Sequence, residues 1–354
     1  MGQDRIREEE TLTAPSGSAR RWATLFAVAA LLSGGCSGGD TDAWSPPQAD
    51  LYATNYIGAV LRSLNGGTHW LPLGSDPRPL MAYRKTLALG DDGAVYVGTS
   101  GGGLYTLDRD DAPYRECGLD LRSGHVRAVH YSSMDRRLWV GTAESGVFTS
   151  TDGGATWTPR NDGLTTYRVN CLVAHPDDPD AVYCGTDAGL LENKGAQRWT
   201  SVGGLAGMDI QALVILPGTG RMLAGAAWVG SGTNLFSSQD GGVHWESADR
   251  GLPRASVFCL AYDESGDRVL AGTSVGVFQR ASDKSRWVRL GRDLDGVRVF
   301  SVATAEGVGY AATAHGLFGI APGSNHWVDL GLGPTRSAVT DVVVRSVSRP
   351  VPES

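Results

Sequence analysis

Along most of the chain, hydrophobic and polar positions alternate in short runs, with turn residues every ten or so positions. The stretch ending at Trp157 is the clearest unit. Val126 to Tyr131 is largely apolar, Ser132 to Arg136 turns the chain, and Arg137 to Thr142 forms a second run. Gly146 to Ser150 forms a third, and Trp157 opens a fourth. Short runs rich in Val, Tyr, Trp and Thr, bounded by Gly, Asp and Ser, predict β-strands joined by tight turns.

That unit recurs. Large rings stand at Trp70, Tyr114, Trp157, Trp199, Trp245, Trp287 and Trp327, spaced 44, 43, 42, 46, 42 and 40 residues apart. A second marker precedes each ring: Thr54, Thr99, Thr142, Thr186, Ala226, Thr273 and Thr313, usually after a glycine. A third lies nine residues before the ring, at Leu61, Tyr105, Phe148, Phe236, Phe278 and Phe318, with Leu191 one residue closer. A four-stranded unit of this length cannot bury both its faces alone. Arranged radially, each sheet covers its neighbour and leaves only short edges. The predicted fold is an all-β, seven-bladed β-propeller over residues 50–346, with the rings as plugs between sheets. The first copy begins at its second strand, Asp50 to Thr54, and Val339 to Val344 reads as the missing first strand. We therefore expect residues 339–346 to pair into the first blade and close the circle, leaving 347–354 as a tail.

Composition adds three constraints. The chain holds 49 Gly among 354 residues with no three-residue period, which suits tight turns and excludes collagen. Its 41% hydrophobic content fills a core, which excludes a wholly disordered chain. The net charge of −7, with lysine only at Lys85, Lys194 and Lys284, disfavours nucleic acid as a partner.

The N-terminus reads as an address. Arg20-Arg21 precede an apolar run from Trp22 to Leu32, then Ser33-Gly34-Gly35-Cys36. This run is too short to span a bilayer as a helix, which needs about 20 residues, and fits a secretory signal. The small residues before Cys36 resemble a bacterial lipobox, which implies a signal over 1–35, acylation of Cys36 and a flexible tether over 36–49. The expected location is the bacterial cell envelope, lipid-anchored and extracytoplasmic, with plain secretion as the alternative.

The turn before the tryptophan carries a further resemblance. Ser150-Thr151-Asp152-Gly153-Gly154-Ala155-Thr156-Trp157 resembles the Asp-box of bacterial-neuraminidase (BNR) repeats. Ser238 to Trp245 keeps the pattern around Asp240, and Ser63 to Trp70 has Asn65 in the Asp position. The resemblance implies a propeller in which this box stabilises a hairpin away from the ligand face.

Two enzyme classes resemble the chain at this level. Sialidases use an Arg-Ile-Pro box, absent here, and three arginines that clamp a carboxylate. Arginines do gather at the starts of the predicted first strands: Arg84, Arg127, Arg168 and Arg298, with Lys85 beside them and His125, Asn170, Asp209 and Gln211 at equivalent places. They read either as an anion clamp or as a solvated rim in which Arg127 or Arg168 pairs with Asp209. Xyloglucan-active propellers work as facing pairs with two acids; here Glu144, Asp187 and Asp209 are the candidate catalytic carboxylates. The 226–234 loop is longer than its counterparts and carries Trp228, a candidate sugar platform or protein anchor.

No metal or cofactor site is predicted: the seven histidines lack zinc spacing and there is no phosphate-cradling loop. Gly98 to Gly102 and Gly272 to Gly276 match a nucleophile-elbow pattern but recur at strand-to-strand turns. Cys171 and Cys184 flank an acidic turn symmetrically, so they read as a cross-strand disulfide or as two buried thiols. The reading reached is a membrane-tethered, monomeric, non-catalytic propeller that binds a protein or glycan at its channel mouth. In layout it resembles lipoprotein propellers that assist photosystem assembly and, more loosely, the ligand-binding sortilin propeller. The alternative is a sialidase-like or endo-glucanase-like glycoside hydrolase.

Overall fold

A computed structural model describes residues 46–47, 49–56, 59–74, 85–121, 123–195, 198–227, 234–284, 286–332 and 337–345. The expected leader, Cys36, Arg84, Trp228 and the tail lie outside the described residues, as does the side chain of Lys85.

The chain forms seven four-stranded antiparallel sheets, the blades of a β-propeller. Blade 3 runs Val126–Ser132, Arg137–Thr142, Val147–Ser150 and Thr158–Pro159, from the axis outward. The inner strands of blades 1 to 7 are Val339–Arg345, Lys85–Leu89, Val126–Ser132, Val169–Ala174, Ile210–Leu216, Val257–Asp263 and Val299–Ala305. Each packs against the next, and Val339–Arg345 packs against both its ring neighbours. Closure follows the expected pairing: Leu51, Tyr52 and Ala53 lie opposite Val344, Val343 and Val342.

Each sequence marker has a steric or hydrogen-bonding cause. The glycine before the second marker (Thr, or Ala226 in blade 5) lies where the next blade's inner strand comes closest. A Cβ on Gly98, Gly141 or Gly225 would fall 2.5, 2.3 or 2.7 Å from a methyl of Val126, Val169 or Val257. At this position glycine supplies space. The threonine staples the hairpin that follows: Thr142 Oγ1 donates to Gly146 O at 3.0 Å and accepts from Ser145 N at 2.9 Å. Thr99, Thr186, Thr273 and Thr313 do the same in their own blades.

The rings tie blades together. Trp157, Trp199, Trp287 and Trp327 each donate Nε1–H to a carbonyl of the preceding blade, on Cys117, Arg160, Ala248 and Leu290. Tyr114 does so through its hydroxyl to Leu73 O. Trp70 reaches Leu330 O at 3.1 Å, across the seam between the last blade and the first. Trp245 departs from the pattern and bonds Gly242 O in its own turn.

In the turn before Trp157, Ser150 Oγ accepts Gly154 N and donates to Asp152, whose carboxylate accepts the backbone N–H and hydroxyl of Thr156. Gly153 and Gly154 take φ of 69° and 85° there, the left-handed conformation that glycine tolerates. These hydrogen bonds, Thr156 foremost, hold the Asp152 carboxyl down at about 2. Asp240 and Asn65 anchor the same arrangement in blades 5 and 1.

Candidate binding face and axial channel

Strands alternate in direction, so the start of every inner strand and every hairpin between second and third strands share one end of the propeller. We call that end the mouth face. The Asp152, Asp240 and Asn65 turns lie at the opposite end.

At the mouth, six of the seven inner strands carry one extra residue. Val126 pairs with Thr142 but Ala128 with Gly141, leaving Arg127 bulged. The same step bulges Asn170, Gln211, Phe258, Phe300 and Thr340. In blade 2 the described pairing is regular, with Lys85 opposite Thr99 and Thr86 opposite Gly98. A bulge re-aims consecutive side chains toward one side of a strand. Here all six bulged residues line a single axial cavity of about 200 Å³, together with the residues that follow them.

The ring is chemically divided. Arg127, Asn170 and Gln211 occupy neighbouring blades, and Phe258 and Phe300 occupy the next two. Asn170 Nδ2 and Gln211 Nε2 both donate to Asp209 Oδ1 at 2.7 Å, and Asn170 Nδ2 also reaches Ile210 O at 3.0 Å. A carboxylate only accepts, so Asp209 orients both amides with their nitrogens toward it. Asn170 Oδ1 is left buried without a partner. The expected ion pair between Asp209 and Arg127 or Arg168 is not formed; two amides satisfy the carboxylate instead. Asp341, on the far side of the ring, accepts Leu87 N at 2.8 Å.

The other candidates divide between the rim and the outer part of the face. Arg168 and Arg298 are exposed at the starts of their strands, and Arg298 lies over the Phe258 ring at 5.6 Å. His125 is exposed and hydrogen-bonded through Nδ1 to Ser100 Oγ at 3.2 Å. Asp187 is exposed at the blade 4 hairpin, and Glu144 opens onto a separate pocket on blade 3. The structure therefore brings Arg127, Asn170 and Gln211 into the cavity, leaves Arg168 and Arg298 on its rim, and spreads Glu144, Asp187 and Asp209 over separate blades. Exposed Tyr56, Tyr167 and Met208 share this face. Among the described residues, no three His, Cys, Asp or Glu side chains are grouped to hold a metal ion.

The disulfide reading is corrected. Leu172 is opposite Cys184 and Cys171 is opposite Gly185. The one-residue offset sends the thiols to opposite faces of the sheet, into different hydrophobic clusters, and both are free. Burial pushes the Cys171 thiol up to about 12, so it is no thiolate nucleophile at neutral pH.

No family model matches the chain, and no curated protein does. Solved structures share the fold. A GH74 enzyme from Niastella koreensis superposes with a TM-score of 0.64 at 14% identity, covering 78% of this chain and 51% of that one. The GH74 xyloglucanase from Xanthomonas campestris gives 0.63 at 14% identity, covering 84% and 52%. YCF48 bound to D1 peptide gives 0.58 at 12% identity, covering 75% and 87%. The chain thus spans about half the length of these GH74 structures. At such identities the likeness establishes the propeller, and its bearers include both hydrolases and a peptide-binding protein.

Phe258, Phe300, Cys259 and Asp341 were not anticipated in the channel. The available signal was positional: each follows the small apolar residue that opens an inner strand by one or two places. A bulge adds one residue and breaks period-two reading, so alternation alone assigns these side chains to the wrong face.

Proposed function

We propose that this chain is a non-catalytic binding propeller whose mouth face docks a protein or glycan ligand. One observation carries the reading. The positions that build the blades repeat as Gly, Thr and a large ring, whereas the six bulged positions aimed into the axial cavity hold Arg, Asn, Gln, Phe, Phe and Thr. A frame that repeats while its inward-aimed side chains diversify is what a recognition surface requires. Exposed Tyr and Arg around the cavity are the residue types that anchor interfaces. Asp341 in the cavity lining and Asp209, which bonds the lining residues Asn170 and Gln211, both accept structural N–H groups, which suits fixed acceptors better than a general acid.

Export through residues 1–35, lipid attachment at Cys36 and a monomeric state belong to the same proposal, supported by the sequence pattern. The test is co-purification from bacterial membranes with the intact chain and with a Phe258→Ala, Phe300→Ala double variant. A partner retained by the first and lost by the second supports docking at the mouth; equal retention refutes it. The fold shared with GH74 enzymes and the Glu144 pocket favour a second reading as a glycoside hydrolase. Turnover of fluorogenic sialosides or β-glucans, abolished by Glu144→Gln or Asp187→Asn, would establish that reading instead.

A further inference from the structure

A second cavity opens on blade 3, away from the axis and larger than the axial one at about 620 Å³, within the usual range for small-ligand sites. Among the described residues its walls include three aromatic rings, Phe148, Trp157 and Tyr167, and two carboxylates, Asp120 and Glu144. Both carboxylates are exposed and take no partner among the described residues. The rings are held in advance. Trp157 is anchored through Nε1 to Cys117 O at 2.6 Å, and Phe148 pairs with Pro159 in the sheet. Tyr167 accepts Gly146 N through its carbonyl at 3.0 Å, and its ring lies so close that a Cβ on Gly146 would meet it at 3.0 Å. Asn161 ties the lip, accepting Val147 N at 2.8 Å and donating to Ser145 O at 3.0 Å.

Aromatic faces attract cations through the ring quadrupole, and desolvated sites strengthen the effect. Carboxylates left unpaired beside such rings supply the complementary charge, and walls fixed before binding lower its entropic cost. Two described arginines nearby have partners of their own. Arg160 points its Nε to Thr149 Oγ1 at 3.3 Å, Arg115 lies 3.6 Å from Asp108, and Arg122 falls outside the described residues.

We propose that this blade 3 pocket binds an organic ammonium group, with Phe148, Trp157 and Tyr167 as the cage and Asp120 and Glu144 as counter-charges. The site lies on the mouth face but apart from the axial ring, so it stands whether or not that ring docks a partner. Two sources share the chemistry: a quaternary ammonium metabolite or headgroup, and a lysine side chain of a docking protein.

The experiment is calorimetric titration of the intact chain with choline, with N-acetyl-lysine methylamide, and with 3,3-dimethylbutan-1-ol, the neutral isostere of choline. We expect at least one cation to bind at least tenfold more tightly than the alcohol, and the tighter cation identifies the source. Tyr167→Ala and the double variant Asp120→Asn, Glu144→Gln should each weaken that cation at least fivefold while thermal unfolding stays within a few degrees. Equal binding of the alcohol, no cation binding, or unchanged affinity in the carboxamide double variant overturns the proposal. So does binding of cello- or xyloglucan oligosaccharides lost in Tyr167→Ala, which would assign the pocket to a neutral sugar.

Discussion

Gly141→Ala probes how the blades are spaced. The added methyl would sit 2.3 Å from Val169 Cγ1 and 2.9 Å from Val169 Cβ, with Leu172 Cδ1 at 3.4 Å. Carbon atoms in good contact stand at about 3.5–4.0 Å, so the overlap with Cγ1 exceeds about 1 Å. Val169 is fully buried at the start of the blade 4 inner strand, and the contact must be relieved by moving one blade against the other. Overpacking of this kind costs about 1–3 kcal/mol. Val169→Ala alone removes roughly two methylene equivalents, about 1.6 kcal/mol at 0.8 each, before any cavity cost. Combined, the two changes relieve each other, because the new methyl enters the space that the valine vacates. Equilibrium urea unfolding of wild type, both single variants and the double variant measures this directly. The double variant should lose less stability than the sum of the singles, by about 1–2 kcal/mol. A neutral Gly141→Ala, or strictly additive losses, would refute the view that glycine is present there to admit the neighbouring blade.

Other consequences are equally direct. Thr142→Val keeps the shape of a buried side chain that donates to Gly146 O and accepts from Ser145 N; losing both bonds should cost about 1–3 kcal/mol in the same unfolding assay, with local amide exchange accelerated at residues 143–146. His130 has its Nε2 enclosed without a partner, and burial lowers its pKa to about 4. The unfolded chain takes that proton near pH 6.5 and the folded one resists it, so stability present above pH 6.5 should fall by up to about 3 kcal/mol as pH drops toward 4. His130→Leu should remove that dependence as measured by urea midpoints across pH 4–7. Asp152, held by Thr156 and Ser150, should titrate near 2 by carboxyl NMR, and its turn should lose stability only as pH falls from about 4 through 2. Thr156→Ala should return its titration toward the ordinary aspartate value.

The fold was almost wholly legible in the sequence because its determinants repeat. Gly141, Thr142, Phe148 and Trp157 each satisfy a local requirement that recurs in the other blades, so periodicity exposes them without knowledge of any contact. Closure was legible for the same reason: Val339 to Val344 was a first strand with no blade of its own. The site was only partly legible. Arg127, Asn170 and Gln211 sit where strand-start counting put them, but the partner of Asp209 depended on side-chain directions that a bulge sets and a pattern does not encode. Of the two readings for Cys171 and Cys184, the structure shows free thiols: the 175–180 turn sets Leu172, not Cys171, opposite Cys184, and a one-residue difference in register cannot be read from symmetric placement about a turn. The blade 3 pocket gathers Asp120 from one blade-to-blade connection, Tyr167 from the next and Glu144 from a hairpin. No sequence spacing marks such a cluster.

The ring closure on which every position at the mouth depends can be tested by covalent capture. Ala53 lies directly opposite Val342 in the seam, at a strand spacing that suits a disulfide, whereas Val343 is one residue out of register. The chain carrying Ala53→Cys and Val342→Cys should oxidise to an intramolecular bridge, detected by peptide mapping under non-reducing conditions. The chain carrying Ala53→Cys and Val343→Cys should not. Bridging in the second chain, or in neither, would contradict the closed seven-bladed ring in this register.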